Sequence, residues 1–196
     1  MEYQWWLSTE CNVPWAVVED FFENEEIKKI IEIGLSPEMS TQTEAKLGFS
    51  GNKDEDYRKC NISWIRSDIE ENQWIFRKLT DIINAINEQH FNFNIEMIQN
   101  LQFTEYTSSG DFYGKHLDIG FLETRPRKIS FTIQLSEESD YDGGDLILYY
   151  DENGEIVNKK RGMLTAFPSY ILHEVKPVTR GTRYALVGWV SGPKFK

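Results

Sequence analysis

His116, Asp118 and His173 carry the most specific chemistry that this chain offers. Two imidazoles and one carboxylate presented to one face of a metal leave adjacent positions on it open, an arrangement suited to non-haem Fe(II). An iron held that way can take a chelating cosubstrate and O2 together, and the chemistry that follows is oxidation. His116-Leu117-Asp118 alone is a weak signal, because His-x-Asp arises by chance and a solitary histidine is more often a hydrogen-bonded structural residue. In a strand, residues two apart point the same way, so the imidazole and the carboxylate would converge. His173 shifts the balance. It stands inside the apolar run Tyr170-Ile171-Leu172-His173-Glu174-Val175, where a bare imidazole needs a partner. The third histidine, His90, follows a helical segment and is assigned no role.

Arg183 belongs beside them. In Pro177-Val178-Thr179-Arg180-Gly181-Thr182-Arg183-Tyr184, Gly181 is expected to turn the chain and Arg183 to open the last strand. An arginine on the inner wall of a barrel is costly unless paired. A ligand carboxylate is its natural partner, since the two planar groups make parallel hydrogen bonds. The alternative is a rim salt bridge with a protein acid, and Arg180 suits that role better.

The elements that must position these residues divide the chain in two. Glu23 to Leu35 places Ile27, Ile30, Ile31 and Leu35 at helical spacing, with Gly34 near a stop. Asn72 to Asn87 does the same with Ile75, Leu79, Ile82, Ile83 and Ile86. Both read as scaffold helices packed outside a sheet. Between them the polar stretch Ser36 to Lys59 is too long for an ordinary connection, so it is either a lid over a substrate site or a disordered surface loop.

From Glu96 onward the chain becomes a series of short alternating segments. Strands are expected at Ile98 to Tyr106, Arg127 to Leu135, Asp145 to Tyr150, Met163 to Phe167, Ile171 to Val175 and Tyr184 to Val190. Asp142-Gly143-Gly144 marks a turn, and Asn153-Gly154 a hairpin whose two turn positions both tolerate positive φ. Pro168 and Pro177 are expected between strands. So many short strands at close spacing suggest a mainly β fold with flanking helices, built as a double-sheet jelly roll.

At 196 residues the chain is long enough for one domain with a real core, and 14% aromatic content argues against disorder. A net charge of -11 would repel a phosphate backbone, so nucleic acid is not expected as a partner. A basic peptide substrate stays compatible with it. Two cysteines, Cys11 and Cys60, read as free thiols in a reducing, cytoplasmic setting, cellular or viral. The first residues lack the basic start and apolar run of a signal peptide, and no stretch approaches the about 20 apolar residues of a membrane span.

The ordered motifs resemble those of the Fe(II)- and 2-oxoglutarate-dependent dioxygenases, in particular the prolyl 4-hydroxylase and PKHD-type branch. The matching stretches are Gln102-Phe103-Thr104-Glu105-Tyr106, Phe112-Tyr113-Gly114-Lys115-His116-Leu117-Asp118 and Asp140-Tyr141-Asp142-Gly143-Gly144-Asp145-Leu146. Phe167-Pro168-Ser169, His173-Glu174-Val175-Lys176-Pro177-Val178 and Gly181-Thr182-Arg183-Tyr184-Ala185 complete them. The resemblance is close over Glu96 to Pro193. It extends more weakly to Val17-Val18-Glu19-Asp20-Phe21-Phe22 and the helix after it. It implies a core at 96–193 supported by helices and strands from 1–95, within a single domain of 1–196.

The resemblance also implies roles. His116, Asp118 and His173 would bind Fe(II), and Arg183 would pair with the distal carboxylate of 2-oxoglutarate. Tyr106 would hydrogen-bond that cosubstrate, while Tyr113 and Trp189 would line the pocket or simply pack. Tyr141 and the Gly143-Gly144 pair read as turn architecture. The collagen-type branch carries lysine where this chain has Arg183, so arginine points to the PKHD-type and oxygen-sensor-like branches. The implied reaction uses 2-oxoglutarate and O2, with ascorbate as a possible reductant. It hydroxylates a C–H bond, in the first instance of a prolyl residue in a peptide or protein, and releases succinate and CO2. A free amino acid or other small molecule is the alternative substrate. That alternative calls for a second charged clamp, where a peptide calls for an open groove. A non-catalytic jelly-roll binding module is a further alternative, against which the intact ligand set and Arg183 argue.

Overall fold

The computed structural model describes residues 14–37, 40–44, 57–120 and 123–195, with 41–44 described as backbone only. Its strands are β1 (Ala16–Val18), β2 (Thr41–Glu44), β3 (Arg58–Lys59), β4 (Asn61–Ile65), β5 (Met97–Ile98), β6 (Leu101–Thr107) and β7 (Phe112–His116). They continue with β8 (Arg127–Gln134), β9 (Tyr141–Gly143), β10 (Leu146–Tyr149), β11 (Glu155–Ile156), β12 (Leu164–Pro168), β13 (Leu172–Val175) and β14 (Val178–Ser191). The helices are α1 (Asn24–Leu35) and α2 (Gln73–Ile86).

Among the described residues, nine strands make a major sheet. Its path runs β1-β12-β8-β14-β6-β4-β2, and β5 and β9 also pair with β14. Five strands make a minor sheet in the order β11-β10-β13-β7-β3. Neighbours far apart in sequence, all antiparallel, give the jelly roll that the strand spacing suggests.

The helices cover the major sheet. In α2 the buried face is Ile75, Leu79, Ile83 and Ile86, four of the five residues its spacing marks, with Ile82 half-buried at its edge. In α1 the face is rotated from the expected one. Ile27, Ile30, Ile33 and Gly34 are buried, Ile31 is half-buried, and Leu35 is 45% exposed. A capping box between Glu23 and Glu26 starts this helix, and Ser36 rather than Gly34 ends it, its N–H donating to the Ile33 carbonyl. Gly34 is instead a packing glycine, since a Cβ there would lie 2.3 Å from Cγ of the buried Phe103 ring. Gly34→Ala should therefore destabilise the protein. Alanine gains about 1 kcal/mol in helix propensity, but overpacking a fixed ring costs about 1–3 kcal/mol. Urea unfolding checks this, and a raised midpoint would show that Phe103 has room to move.

In β8, Ile129, Phe131 and Ile133 join the helix-covered core, while the intervening Ser130, Thr132 and Gln134 are buried too. Ser130 bonds Asp118, Thr132 lines a cavity, and Gln134 donates to the Tyr141 hydroxyl. The alternation thus separates core from site rather than core from water.

Several boundaries differ from the sequence expectation. Gly181 does not turn the chain, because β14 runs unbroken from Val178 to Ser191 and Arg183 lies in its interior. At φ +71° Gly181 lets the strand bend, switching partners from β9 to β6 and β8. A Cβ there would sit 1.9 Å from the Asp140 carbonyl oxygen, so only glycine fits. The Asn153-Gly154 hairpin forms, but only Gly154 has positive φ. Its loop is organised by Asp151, whose Oδ1 accepts from the N–H groups of Asn153 and Gly154. Pro168 is the last residue of β12, paired with Ile129, rather than lying between strands. The expected strand from Ile98 is split, with Gln99 and Asn100 between β5 and β6.

The polar stretch 36–59 contributes β2 and β3 at its described ends. Its residues 38–39 and 45–56 lie outside the described residues, and with them the choice between lid and loop. Cys11 lies outside them as well, and Cys60 carries a free thiol. Among the described residues no helix is long and apolar enough to cross a membrane.

Candidate active site

β7 and β13 are neighbours in the minor sheet, and their register sets His116 opposite His173. This pairing brings together two residues 57 positions apart in the sequence. Asp118 arrives differently from the expected strand alternation. β7 ends at His116, and Asp118 is held just beyond by its N–H, which donates to the Ser169 carbonyl at 3.0 Å. One ligand atom from each of the three residues lies within 4.8 Å of the others. His116 Nε2 is 3.7 Å from Asp118 Oδ1, and His173 Nε2 is 3.4 Å from Oδ2.

The surroundings orient these groups. Nδ1 of His116 lies 2.8 Å from the Gly114 carbonyl, and Nδ1 of His173 lies 2.9 Å from the Ile171 carbonyl. A carbonyl oxygen can only accept, so each Nδ1 carries the hydrogen and each Nε2 faces the cluster. Ser130 Oγ donates to Asp118 Oδ2 at 2.7 Å and also meets Ser169 Oγ. Burial, reinforced by His173, pushes the His116 imidazole down to about 3 and keeps it neutral. Burial works to raise the Asp118 carboxyl, but His173, His116 and Arg127 outweigh it and hold the group well below the usual carboxylate range. Burial works to lower the His173 imidazole, but Asp118 outweighs it and raises it. Two imidazoles and one firmly ionised carboxylate fit a divalent first-row metal with open positions. Among the described residues this is the only such cluster.

Ser130→Ala should weaken metal binding about 10–100-fold without unfolding the chain, because the hydroxyl orients a ligand rather than being one. Competition with a chromophoric chelator would measure this. Unchanged affinity would mean that the carboxylate is held by the backbone alone.

A cavity of about 710 Å³ opens around the cluster and is lined from both sheets. It contains Arg183, Tyr106, Tyr113 and Trp189, all expected at the site, and excludes His90, which lies in a π-helical turn after α2. Arg183 is 4% exposed and sits in register with Tyr106 across β14 and β6. Its Cζ lies 5.4 Å from the Tyr106 ring centroid, and it makes no ion pair with a described acid. Gly144 leaves space for its stem, since a Cβ there would be 3.0 Å from Arg183 Cδ. Gly143 and Gly144 both have positive φ, as their turn requires, and the buried Tyr141 opens β9 beside them. Burial pushes the Tyr106 hydroxyl far up, so it remains a neutral donor. Tyr113 stacks on His116 with centroids 3.6 Å apart, and burial pushes its hydroxyl up to about 12. Trp189 lies under the Arg127 guanidinium at 3.9 Å, with its buried Nε1 lacking a hydrogen-bond partner among the described residues. Arg180, by contrast, makes the exposed rim salt bridge expected of it, 2.6 Å from Asp142.

Four lining or supporting residues carry no mark in the sequence: Arg58, Arg127, Ser130 and Trp64. Ser130 was visible only as the polar half of an alternation. Arg58 and Trp64 belong to strands from the N-terminal half, and nothing in their local pattern indicates which cavity they reach.

The family model for the 2OG-Fe(II) oxygenase superfamily matches residues 101–191. A PKHD-type hydroxylase of Idiomarina loihiensis is 28% identical over 170 residues, covering 82% of this chain and 77% of the relative. One of Picosynechococcus is 32% identical over 143 residues, covering 67% of this chain and 64% of the relative. Among solved structures, a Pseudomonas putida prolyl-4-hydroxylase matches with a TM-score of 0.73 at 24% identity, covering 92% of this chain and 94% of that one. A Trichoplax adhaerens prolyl hydroxylase, in complex with a hypoxia inducible factor peptide fragment, matches with a TM-score of 0.75 at 22% identity. That match covers 90% of this chain and 83% of that one. The jelly roll seen here is the fold of those hydroxylases. The chain belongs to the 2OG-Fe(II) oxygenase superfamily, and the curated relatives it matches here are PKHD-type hydroxylases.

Proposed function

We propose that His116, Asp118 and His173 hold Fe(II), that Arg183 and Tyr106 bind 2-oxoglutarate, and that the protein hydroxylates a C–H bond of a prolyl residue in a peptide or protein. The observation that carries this reading is a buried arginine, without an acidic partner among the described residues, in the same cavity as the His-Asp-His cluster. When bound, the iron and 2-oxoglutarate supply an O2-dependent oxidation in which one oxygen atom enters succinate and the other the substrate, with CO2 released.

The chain's own residues do the rest. Arg183 offers a planar pair of donors to the far carboxylate, which orients the cosubstrate before reaction. The neutral Tyr106 hydroxyl can donate to the same molecule without adding charge. Tyr113 and Trp189 line the cavity with ring surface that excludes water. Leu117, which lines the cavity, is 44% exposed, so the cavity reaches the surface there. The peptide bound to the Trichoplax enzyme supports the same substrate class.

Incubating the protein with Fe(II), 2-oxoglutarate, ascorbate as reductant and lysate peptides should release succinate and add one oxygen to prolyl residues. Mass spectrometry of proteins and metabolites reads both outcomes. An oxygen gain confined to metabolites would favour the small-molecule alternative. Absence of any 2-oxoglutarate consumption would favour the non-catalytic module.

A further inference from the structure

Arg58 takes no part in the chemistry above, yet it is the most costly side chain in the cavity to leave unexplained. It is 8% exposed, and its buried Nη2 has no hydrogen-bond partner among the described residues. Its Nε donates to the Cys60 thiol at 3.3 Å, a weak acceptor, and no described acid forms an ion pair with it. A buried guanidinium without an anion is unfavourable, and an anion brought into the adjoining cavity would offset that cost.

Its position is set by the fold. β3 pairs with β7 so that Arg58 lies opposite Tyr113. The Arg58 Cζ stands 4.3 Å from the Tyr113 ring centroid, and Tyr113 in turn stacks on His116. Arg58 therefore faces the cavity from the minor sheet, whereas Arg183 faces it from the major sheet. Arg127 is already engaged by the Gln99 amide and the Trp189 ring, which leaves Arg58 as the second open clamp.

Charge balance points the same way. Among the described residues, three arginines, Arg58, Arg127 and Arg183, line the cavity against two acids, Asp118 and Glu123. A bound divalent ion raises the positive excess to three, and a dicarboxylate cosubstrate lowers it to one. One further negative charge would neutralise the loaded site. This count rests on the function proposed above, while the geometry of Arg58 does not.

We propose that Arg58 binds a carboxylate of the molecule being oxidised. The site thus selects a substrate with a carboxylate close to the oxidised carbon. That carboxylate can be the α-carboxylate of a free amino acid, a peptide C-terminus or a neighbouring acidic side chain, and the experiment separates these sources.

The test uses the full chain, with and without Zn(II) and 2-oxoglutarate, so that no turnover occurs. Ligand-observed NMR and calorimetry compare matched probes: L-proline with L-prolinamide, a peptide ending in a prolyl carboxylate with its amide, and a capped Pro-Glu peptide with Pro-Gln. At least one acid should bind about thirtyfold tighter than its neutral partner. Arg58→Gln should erase that preference and leave 2-oxoglutarate binding unchanged, while Arg58→Lys should keep part of it. If the glutamine variant does not fold, the wild-type comparison and the lysine variant decide. Equal binding of every acid and its amide overturns the proposal. So does an Arg58→Gln variant that loses 2-oxoglutarate affinity but keeps its acid preference. A protein that prefers acids through Arg58 yet never releases succinate would overturn the oxygenase function and leave the clamp in place.

Discussion

Asp118→Ala is expected to abolish substrate-coupled succinate release and to lower metal affinity by more than about a hundredfold. Partners that merely orient a ligand are worth about 10–100-fold, so removing a ligand must cost more. Asp118 is also the only carboxylate in the cluster, lying between both Nε2 atoms. Without it, two imidazoles with ring centroids 4.1 Å apart face a cation with no compensating charge. The fold should survive. Removing the carboxylate leaves the imidazoles free to stay neutral, and Ser130 and Ser169 still bond each other. Metal titration and succinate assay check this on protein shown to be folded by circular dichroism. Retained turnover within about tenfold of wild type would remove Asp118 from the metal site.

Arg183→Ala should raise the 2-oxoglutarate requirement about thirtyfold to several thousandfold. Truncating one partner of a buried, hydrogen-bonded charge pair costs about 2–5 kcal/mol, and each 1.4 kcal/mol is about tenfold. Metal affinity should hardly change, because Arg183 lies on β14 of the other sheet. Stability without ligands should hold or rise, because the variant no longer buries an uncompensated cation. Arg183→Lys should recover part of the affinity as a point charge without the planar fork. The measurement is KM for 2-oxoglutarate at saturating substrate. An unchanged KM would assign Arg183 a structural role.

Much of this was legible in local sequence. α2 buries Ile75, Leu79, Ile83 and Ile86 of its expected face and leaves Ile82 half-buried, because a helix face depends mainly on neighbours three and four apart. The strand series from residue 96 was legible for the same reason. α1 departs from its spacing at Leu35 and Gly34 because its orientation is decided by where Phe103 packs, a contact 69 positions away in the sequence. Gly181 reads as a turn because positive φ usually ends a strand. Here β9 on one side and β6 and β8 on the other keep the backbone paired through the bend. The polar alternation in β8 gave no hint that both faces are buried, since a pattern of period two says nothing about what covers each side.

The amino-acid sequence by itself determined the donor types, the arginine and the succession of the longer strands after residue 96, because composition and short-range periodicity are properties of adjacent residues. Only the tertiary structure decided that His116 stands opposite His173, that Asp118 is held by Ser169 and Ser130, and that Arg58 enters the cavity beside Tyr113. Each of these depends on strand register between distant segments. A one-residue slip would turn every side chain to the opposite face, and no local pattern encodes that choice.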